Sequence, residues 1–560
     1  MRSDQQQAIN RLAGTSATAF LCAVLCVYPL YIDKFSNLGV TKFTGCFTLF
    51  LLFLLWLVAC TAIGARAPRP RNANAGRDVT RWGVLAFAGT SLISTFTSLS
   101  PTASTWGLGG YYGGLMLVLF TAAGYWAVRS YLDLENLDFV FWVLGITTSI
   151  VAVLYVLNIF NIDLIGAYAD TAVVERAQFF STLGQKDFNG CFFSVALPIV
   201  FYQFLNAKDT RTAVWTGIPA AFGALALAVV DSEALALGIG AAVMVLVCHK
   251  NFTTRHLRRA ALISAAFFGW AAWMHYMRAS VYTQGGIALL AKLGAWQVAL
   301  PCMAASLLLW LVLFVLARKG IAAQAPLYLP GRGITIAVLA VGALAFVLAN
   351  AMPNLPLPES LHNLLVFNDD WGTYRGVAWR AAFGTWADGS LLRKIVGIGP
   401  GMMHTAVAAW AGDAMTARMA TFYAAHNEYL EQLLTTGILG LAAWLLLVAA
   451  HLQRGERSWN TPGVAPVMLA LCSYLAQAVV SIRVSMVFPL VMLLFGALAA
   501  LTAPELPQPA APAPRSKKQQ KPETLPPKNA WYFAKTVLAA VLCMAAASGI
   551  APLLFGFLMG

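Results

Sequence analysis

His426 and Asn427 open the run AHNEYLEQLLTTGILG (residues 425–440), where a polar loop meets an apolar stretch. Asn is a favoured helix N-cap, so Asn427 is expected to cap the helix that follows. An imidazole placed there feels the positive end of the helix dipole, which disfavours its charged form. A neutral imidazole can accept a proton, as a general base must. The other reading of His426 is an interfacial side chain that only caps the helix, and the local pattern leaves both open. Glu428 and Glu431 either orient His426 or favour the first helical turn, and the second is preferred.

A second group is WGTYRGVAWR (371–380). Arg375 stands four residues before Trp379, which permits one helical face, and Arg380 follows. Guanidiniums hold phosphate through paired hydrogen bonds; the alternative is a surface Arg stacked on Trp or set against lipid headgroups. The run ERAQFFSTLGQKDFNGCFF (175–193) puts Glu175, Arg176, Gln185, Lys186, Asp187 and Asn189 at the mouth of an apolar stretch. Polar residues at that depth line a site or pair with one another. Arg176 and Lys186 are therefore candidates to join Arg375 around an anion, with a Lys186–Asp187 surface pair as the alternative. Arg483 lies between two apolar runs, either as a further phosphate contact or as a snorkelling side chain. The glycines of GIGPGMMH (397–404) predict a tight turn before a helix. That motif lacks the Lys-Ser/Thr of a nucleotide-binding loop, so nucleotide binding is rejected. The run STFTSLSPTASTWGLGGYYGG (94–114) reads as a closely packed Ser/Thr/Gly/aromatic turn.

What positions these residues follows from composition. Of 560 residues, 59% are hydrophobic and 11% charged, and mean hydropathy is +0.70; soluble domains carry about 25% charge. Spanning helices need about 20 mostly apolar residues each. Such runs fall near 15–32, 41–65, 82–99, 113–129, 138–160, 189–206, 212–230, 233–249, 259–277, 295–317, 333–352, 427–451, 463–482, 485–503 and 533–558. The expectation is an all-α polytopic transmembrane bundle of about 14–15 spans with a large, partly helical extracytoplasmic loop. The 212–249 stretch is either two short helices or a hairpin broken at Asp231, Ser232 and Glu233. MRSDQQQAINR and the run behind it read as an uncleaved first helix.

The net charge of +14 is read as topology, not nucleic-acid binding, since no basic stretch is interleaved with aromatics. With the N-terminus inside, Lys and Arg gather in the inner loops. These include 66–81 (Arg66, Arg69, Arg71, Arg77, Arg81), 250–259 (Lys250, Arg255, Arg258, Arg259), 318–332 (Arg318, Lys319, Arg332) and 452–462 (Arg454, Arg457). The outer loops at 33–40 and 98–112 hold one Lys and no Arg. Domain by domain, 1–352 are N-terminal spans, 353–426 an extracytoplasmic loop carrying Asp369, Asp370, His404 and Arg418 besides the residues above, and 427–503 C-terminal spans. Residues 504–532, rich in Pro, Ala, Lys and Gln, are a disordered cytoplasmic linker, and 533–560 a last, peripheral helix. The nine cysteines fall in or beside apolar runs without metal-ligand spacing, and read as small buried hydrophobes.

Taken together, these motifs carry a family resemblance. The run His426-Asn427-x-Tyr429-Leu430 followed by Thr436-Gly437-Ile438-x-Gly440 resembles the signature of the O-antigen ligase-like superfamily, with its O-antigen polymerases and protein O-oligosaccharyltransferases. Ser94–Gly114, Ser181-Thr182-Leu183-Gly184 to Asn189, and Arg375-Gly376-x-x-Trp379 followed by Gly397-x-Gly399-Pro400-Gly401 agree in order and spacing. The match covers roughly residues 80–500. Many relatives carry an Arg before the final Gly pair of the first loop; here Tyr111 and Tyr112 stand instead.

The resemblance implies a metal-independent, inverting glycosyltransferase of the bacterial cytoplasmic membrane that needs no cofactor. It would take a glycan from an undecaprenyl-pyrophosphate carrier to a glycan, lipid or protein acceptor on the outer face. His426 would be the general base and Arg375 the catalytic loop Arg. Arg176 would be a substrate contact, and the residue readings add Lys186, Asn189, Arg380, Asn427, Tyr429 and Arg483 as candidates for the same role. Partners would be the lipid-linked donor, the acceptor and membrane lipids, with no nucleic acid. The competing readings are a lipid-linked glycan transporter or flippase, which predicts mid-span charges and matching halves, and a membrane scaffold.

Overall fold

The computed structural model describes residues 2–66, 78–108, 110–280, 293–321, 323–352, 355–407, 410, 422–503 and 530–559. Arg69, Arg71, Arg77, Arg418 and the 504–529 part of the expected linker lie outside the described residues.

The fold is an all-α polytopic bundle, with no β-strand among the described residues. Its long helices are α1 (Arg2–Cys22), α2 (Leu38–Ile63), α3 (Val79–Phe96), α4 (Leu115–Tyr131), α5 (Leu137–Ile159), α6 (Lys186–Asn206), α7 (Thr210–Val229) and α8 (Glu233–Cys248). They continue with α9 (Thr254–Ser280), α10 (Trp296–Arg318), α11 (Tyr328–Ala351), α12 (Trp371–Ala387), α13 (Glu428–Arg457), α14 (Val464–Gln477), α15 (Phe488–Leu501) and α16 (Ala530–Met559). Every expected apolar run coincides with one of these, and α12 is the long helix within the 353–426 loop. The 212–249 stretch is two helices, α7 and α8, parted at residues 230–232.

Nine helices among the described residues are long and apolar enough to cross a membrane, fewer than the number of runs. Helices α8, α14 and α15 have 16, 14 and 14 residues. Fourteen residues rise about 21 Å, short of a hydrocarbon core of about 30 Å. Two of these short helices, α14 and α15, form the buried centre: almost every residue from Val464 to Leu475 and from Phe488 to Ala499 is enclosed. Their length is set by neighbouring protein, not by lipid. Helices α10 and α11 are the opposite case, with 6% of their apolar windows buried; they pack on α9 and α8 and present apolar side chains outward.

Close approach depends on small residues, as expected where helices cannot rely on hydrophobic contrast with lipid. Helix α3 lies along α13 at Gly83, where an added Cβ would sit 2.7 Å from the Leu447 Cα. Helix α16 lays one face (Ala540, Met544, Ala547) on α1 and α2 and inserts Phe555 among Phe43, Phe47 and Trp106. The last helix is thus docked into the bundle along one side.

The loops gather at two ends. At the end holding the start of α1, the Asn10 side chain accepts from the Arg66 backbone N–H at 2.8 Å. The Arg of this end have partners within the fold. Arg259 donates to the carbonyls of Phe204 and Leu205 at 3.0 and 3.1 Å, and Arg454 donates to the Thr502 carbonyl at 2.9 Å. They therefore satisfy the orphan carbonyls of α6 and α15. Asp78 is the hub of this end: it caps α3 and receives Arg454 at 2.8 Å as well as Arg129. Burial pushes its carboxyl up, but the Thr80 hydrogen bond and the Arg129 and Arg454 charges outweigh that and hold it at about 2.

At the other end α1 widens into a π-turn (Ala23–Val27) and tightens into a 3-10 turn (Tyr28–Leu30). The buried Lys42 ammonium donates to the freed carbonyls of Tyr28 and Pro29 at 3.0 and 2.9 Å, as a cation at a helix C-terminus should.

Asp78→Asn should leave two guanidiniums short of an anion and cost roughly 2–4 kcal/mol, read as a lower thermal unfolding midpoint in detergent. An unchanged midpoint would remove Asp78 from its role as hub.

Candidate functional site

The site is built at the end opposite the start of α1, and it begins with a broken helix. Helix α13 is interrupted at Gly437 (φ 70°, ψ −172°), where a Cβ would run into the Ile395 carbonyl. The break leaves the Leu434 and Thr435 carbonyls to outside partners. Ile398 N–H donates to Leu434 at 3.2 Å and Gly399 N–H to Thr435 at 2.9 Å, while the Ser94 hydroxyl reaches the Thr435 carbonyl at 2.6 Å. The Ser98 and Ser104 hydroxyls hold the Ile398 and Pro400 carbonyls at 2.9 and 3.0 Å. Three separate stretches, 94–114, 397–401 and 425–440, thus form one interlocked unit. The expected turn at 397–401 is present, with positive φ at Gly397, Gly399 and Gly401.

This unit docks α12. A small apolar cluster (Val377, Ala378, Ala381, Ile398, Met403, Ala425 and neighbours) binds α12 to the start of α13. Before Arg375, residues Gly372, Thr373 and Tyr374 all have positive φ, at 59°, 61° and 69°. Such backbone is costly for Thr and Tyr and collects at functional sites. The regular part of α12 starts at Arg375, so Arg375 and Trp379 share a face as their spacing predicts. Trp379 Nε1 donates to the His426 carbonyl at 3.3 Å, and Arg375 is close enough for its charge to act on the His426 ring.

His426 also has positive φ, 51°. Its Nδ1 is 3.1 Å from the Ala424 carbonyl. A carbonyl only accepts, so Nδ1 carries the hydrogen and Nε2 the lone pair. The Phe422 ring meets the imidazole edge-on at 5.5 Å. Burial first, then the Arg375 charge, push the imidazole below its ordinary pKa; the Ala424 hydrogen bond and Asp187 oppose this without cancelling it. His426 is therefore held neutral.

Asn427 caps α13 as expected, its side-chain oxygen accepting from Tyr429 and Leu430 N–H at 3.0 and 3.1 Å. Tyr429 donates its hydroxyl to the Leu475 carbonyl at 2.8 Å. The two glutamates divide. Glu431 accepts from Ala425 N–H at 3.3 Å and so braces the turn that presents His426. Glu428 faces inward, receiving the Tyr474 hydroxyl at 2.5 Å and Arg483 at 3.4 Å.

Arg483 is drawn inside, unlike a snorkelling side chain. It donates to Gln432 at 2.9 Å and sits among Phe87, Trp444 and Phe488, the last ring 4.7 Å away. With Glu428, Glu431, Gln432, Tyr111 and Tyr423 it lines a cleft beside the His426 turn. A second cavity, about 300 Å³, adjoins it through the same two tyrosines and is lined by Phe35, Leu38, Gln185 and Phe188 among others.

The corner between α7 and α8 joins the set. Lys186 pairs with Asp231 at 3.4 Å, Asp187 accepts from Ser232 at 3.0 Å, and Arg375 pairs with Glu233 at 3.4 Å. The structure thus brings His426, Arg375 and Lys186 to one rim. Three candidates are committed elsewhere. Asn189 is buried and spends its side chain on Ser181, Phe180, Gly184 and Gln185, so it shapes the 180–189 loop. Arg176 lies over the Tyr168 ring at 5.3 Å. Arg380 turns to Asp369 at 2.6 Å, on another side of α12 from Arg375.

The residues that the motifs left unassigned are Glu233, Asp231 and the bracing role of Trp379; for Glu431 the preferred reading, support of the first helical turn, gives way to the other, since its carboxylate holds Ala425 N–H beside His426. Glu233 and Asp231 were visible only as a helix break. No protein-family model matches this chain, and no curated protein matches it; the resemblance drawn from the sequence rests on its motifs alone.

An NMR titration of ring-labelled His426 in the full chain should give a midpoint below the ordinary imidazole value of 6.5. Arg375→Gln should move it upward, because removing a cation eases protonation. A midpoint at or above 6.5 in the parent protein would contradict the geometry.

Proposed function

We propose that this chain is a membrane glycan transferase that takes a glycan from an undecaprenyl-pyrophosphate carrier to an acceptor hydroxyl, on the outer face of a bacterial cytoplasmic membrane. The observation that carries the reading is a neutral imidazole whose Nδ1 is tied to the Ala424 carbonyl and whose Nε2 keeps its lone pair, beside the Arg375 guanidinium. A base and a cation side by side suit a reaction that removes a proton and releases an anion.

In this reaction the acceptor oxygen attacks the anomeric carbon as its proton passes to His426 Nε2. The carbon–oxygen bond to the diphosphate breaks, and its electron pair leaves on the lipid diphosphate. Attack opposite the leaving group inverts the anomeric centre. Arg375, with Lys186 on the same rim, neutralises the charge that develops on the departing diphosphate. Trp379 and Glu431 are positioning residues, holding the backbone on either side of the imidazole. Orientation follows from the loop charges: the Arg-rich end that holds Asp78 faces the cytoplasm, which puts the His426 end outside.

His426→Ala should lower transfer from a lipid-diphosphate donor by at least about 100-fold while the protein inserts and purifies as the parent does. Retained transfer would sink the assignment. His426→Gln, which preserves side-chain volume, should be equally inactive.

A further inference from the structure

Both cations on the rim beside His426 already hold a carboxylate, and both carboxylates come from one corner. Asp231 lies in the α7–α8 break and Glu233 directly after it, Asp231 reaching Lys186 and Glu233 reaching Arg375, each at 3.4 Å. The two pairs are not alike. Asp231 is a junction: its side chain is 22% exposed, and it lies within electrostatic range of Arg278 and Tyr155 as well as Lys186. The Glu233 side chain is 75% exposed at the first turn of α8, whereas the Arg375 side chain it holds is 12% exposed. Arg375 is thus set in the protein, and its partner is a solvated carboxylate at a long contact distance.

We propose that Glu233 is a displaceable internal anion, which occupies Arg375 when the site is empty and competes with the diphosphate of the carrier lipid for the same guanidinium. The proposal rests on the reading of Arg375 as a diphosphate-binding residue. The physical case is one of matching strengths. A carboxylate that keeps most of its hydration and touches the guanidinium only at 3.4 Å is held weakly, so it yields to a diphosphate, which offers more charge and more acceptor oxygens. Two effects follow. The empty site keeps Arg375 directed at the rim beside His426 and does not leave a largely buried cation unpaired. After transfer, the carboxylate is at hand to retake Arg375 as the lipid diphosphate leaves, which limits product inhibition. Glu233 is a positioning residue in this scheme and never touches the sugar. Its place at the start of α8 is also favourable for the helix dipole, so a purely structural role is the competing account.

The test is equilibrium and kinetic binding of farnesyl diphosphate, a short polyprenyl diphosphate, to the full chain in detergent or nanodiscs, for the parent, Arg375→Ala and Glu233→Gln. The parent should bind, and Arg375→Ala should weaken binding by about tenfold or more. Glu233→Gln should bind about two- to fivefold tighter than the parent, mainly through slower dissociation. Binding that ignores Arg375→Ala overturns the reading of Arg375 and the inference with it. Binding that depends on Arg375 but is unchanged or weaker in Glu233→Gln leaves that reading standing and overturns the displaceable anion. A helix-dipole role alone would lower the thermal midpoint without changing the dissociation rate.

Discussion

A helix broken inside an apolar bundle must find new partners for the carbonyls it exposes, and that requirement at Gly437 organises one end of this protein. Without water, each orphan carbonyl costs several kcal/mol. The Leu434 and Thr435 carbonyls take theirs from Ile398, Gly399 and Ser94, which docks the 397–401 turn and the 94–114 loop together. The same contacts seat α12 through a small apolar cluster. Helix α12 then sets both Trp379, which holds the His426 backbone, and Arg375. The imidazole and the guanidinium meet because the Leu434 and Thr435 carbonyls, two turns along α13, had to be satisfied.

Charge at this end is handled by local pairing. Arg375, Lys186, Arg380 and Arg483 each hold a carboxylate, from Glu233, Asp231, Asp369 and Glu428. The pairs differ in what they can release. Arg483–Glu428 is enclosed by aromatic rings and by Tyr474, and serves to close the bundle around the polar start of α13. Arg375–Glu233 lies on the rim with its acid in solvent. At the opposite end Asp78, Arg129 and Arg454 tie α3, α4 and α13 together, so α13 is fixed at both ends and its break falls between two rigid anchors.

The helices were legible in the sequence because a run of about 20 apolar residues has few other solutions, and each run is a helix. The Asn427 cap, the 397–401 turn and the shared face of Arg375 and Trp379 were legible because each depends on residues within a few positions. The site's pairings were not. Arg375 and Glu233 are 142 positions apart, and Arg483 and Glu428 are 55 apart. Nothing local distinguishes an Arg drawn inward by a buried acid from one snorkelling outward. Asn189 looked like a ligand contact because it is polar at the mouth of a helix, yet the adjoining loop consumes its hydrogen bonds. The short central helices α14 and α15 were read as full spans because hydropathy records that a segment is apolar and not what surrounds it.

The most direct measurement is the structure of the full chain with a bound polyprenyl diphosphate-linked sugar. The expected result is diphosphate density against Arg375 and Lys186, the anomeric carbon facing His426 Nε2, and the Glu233 carboxylate released from Arg375. Diphosphate held away from His426, or at the Asp78 end of the bundle, would contradict the account.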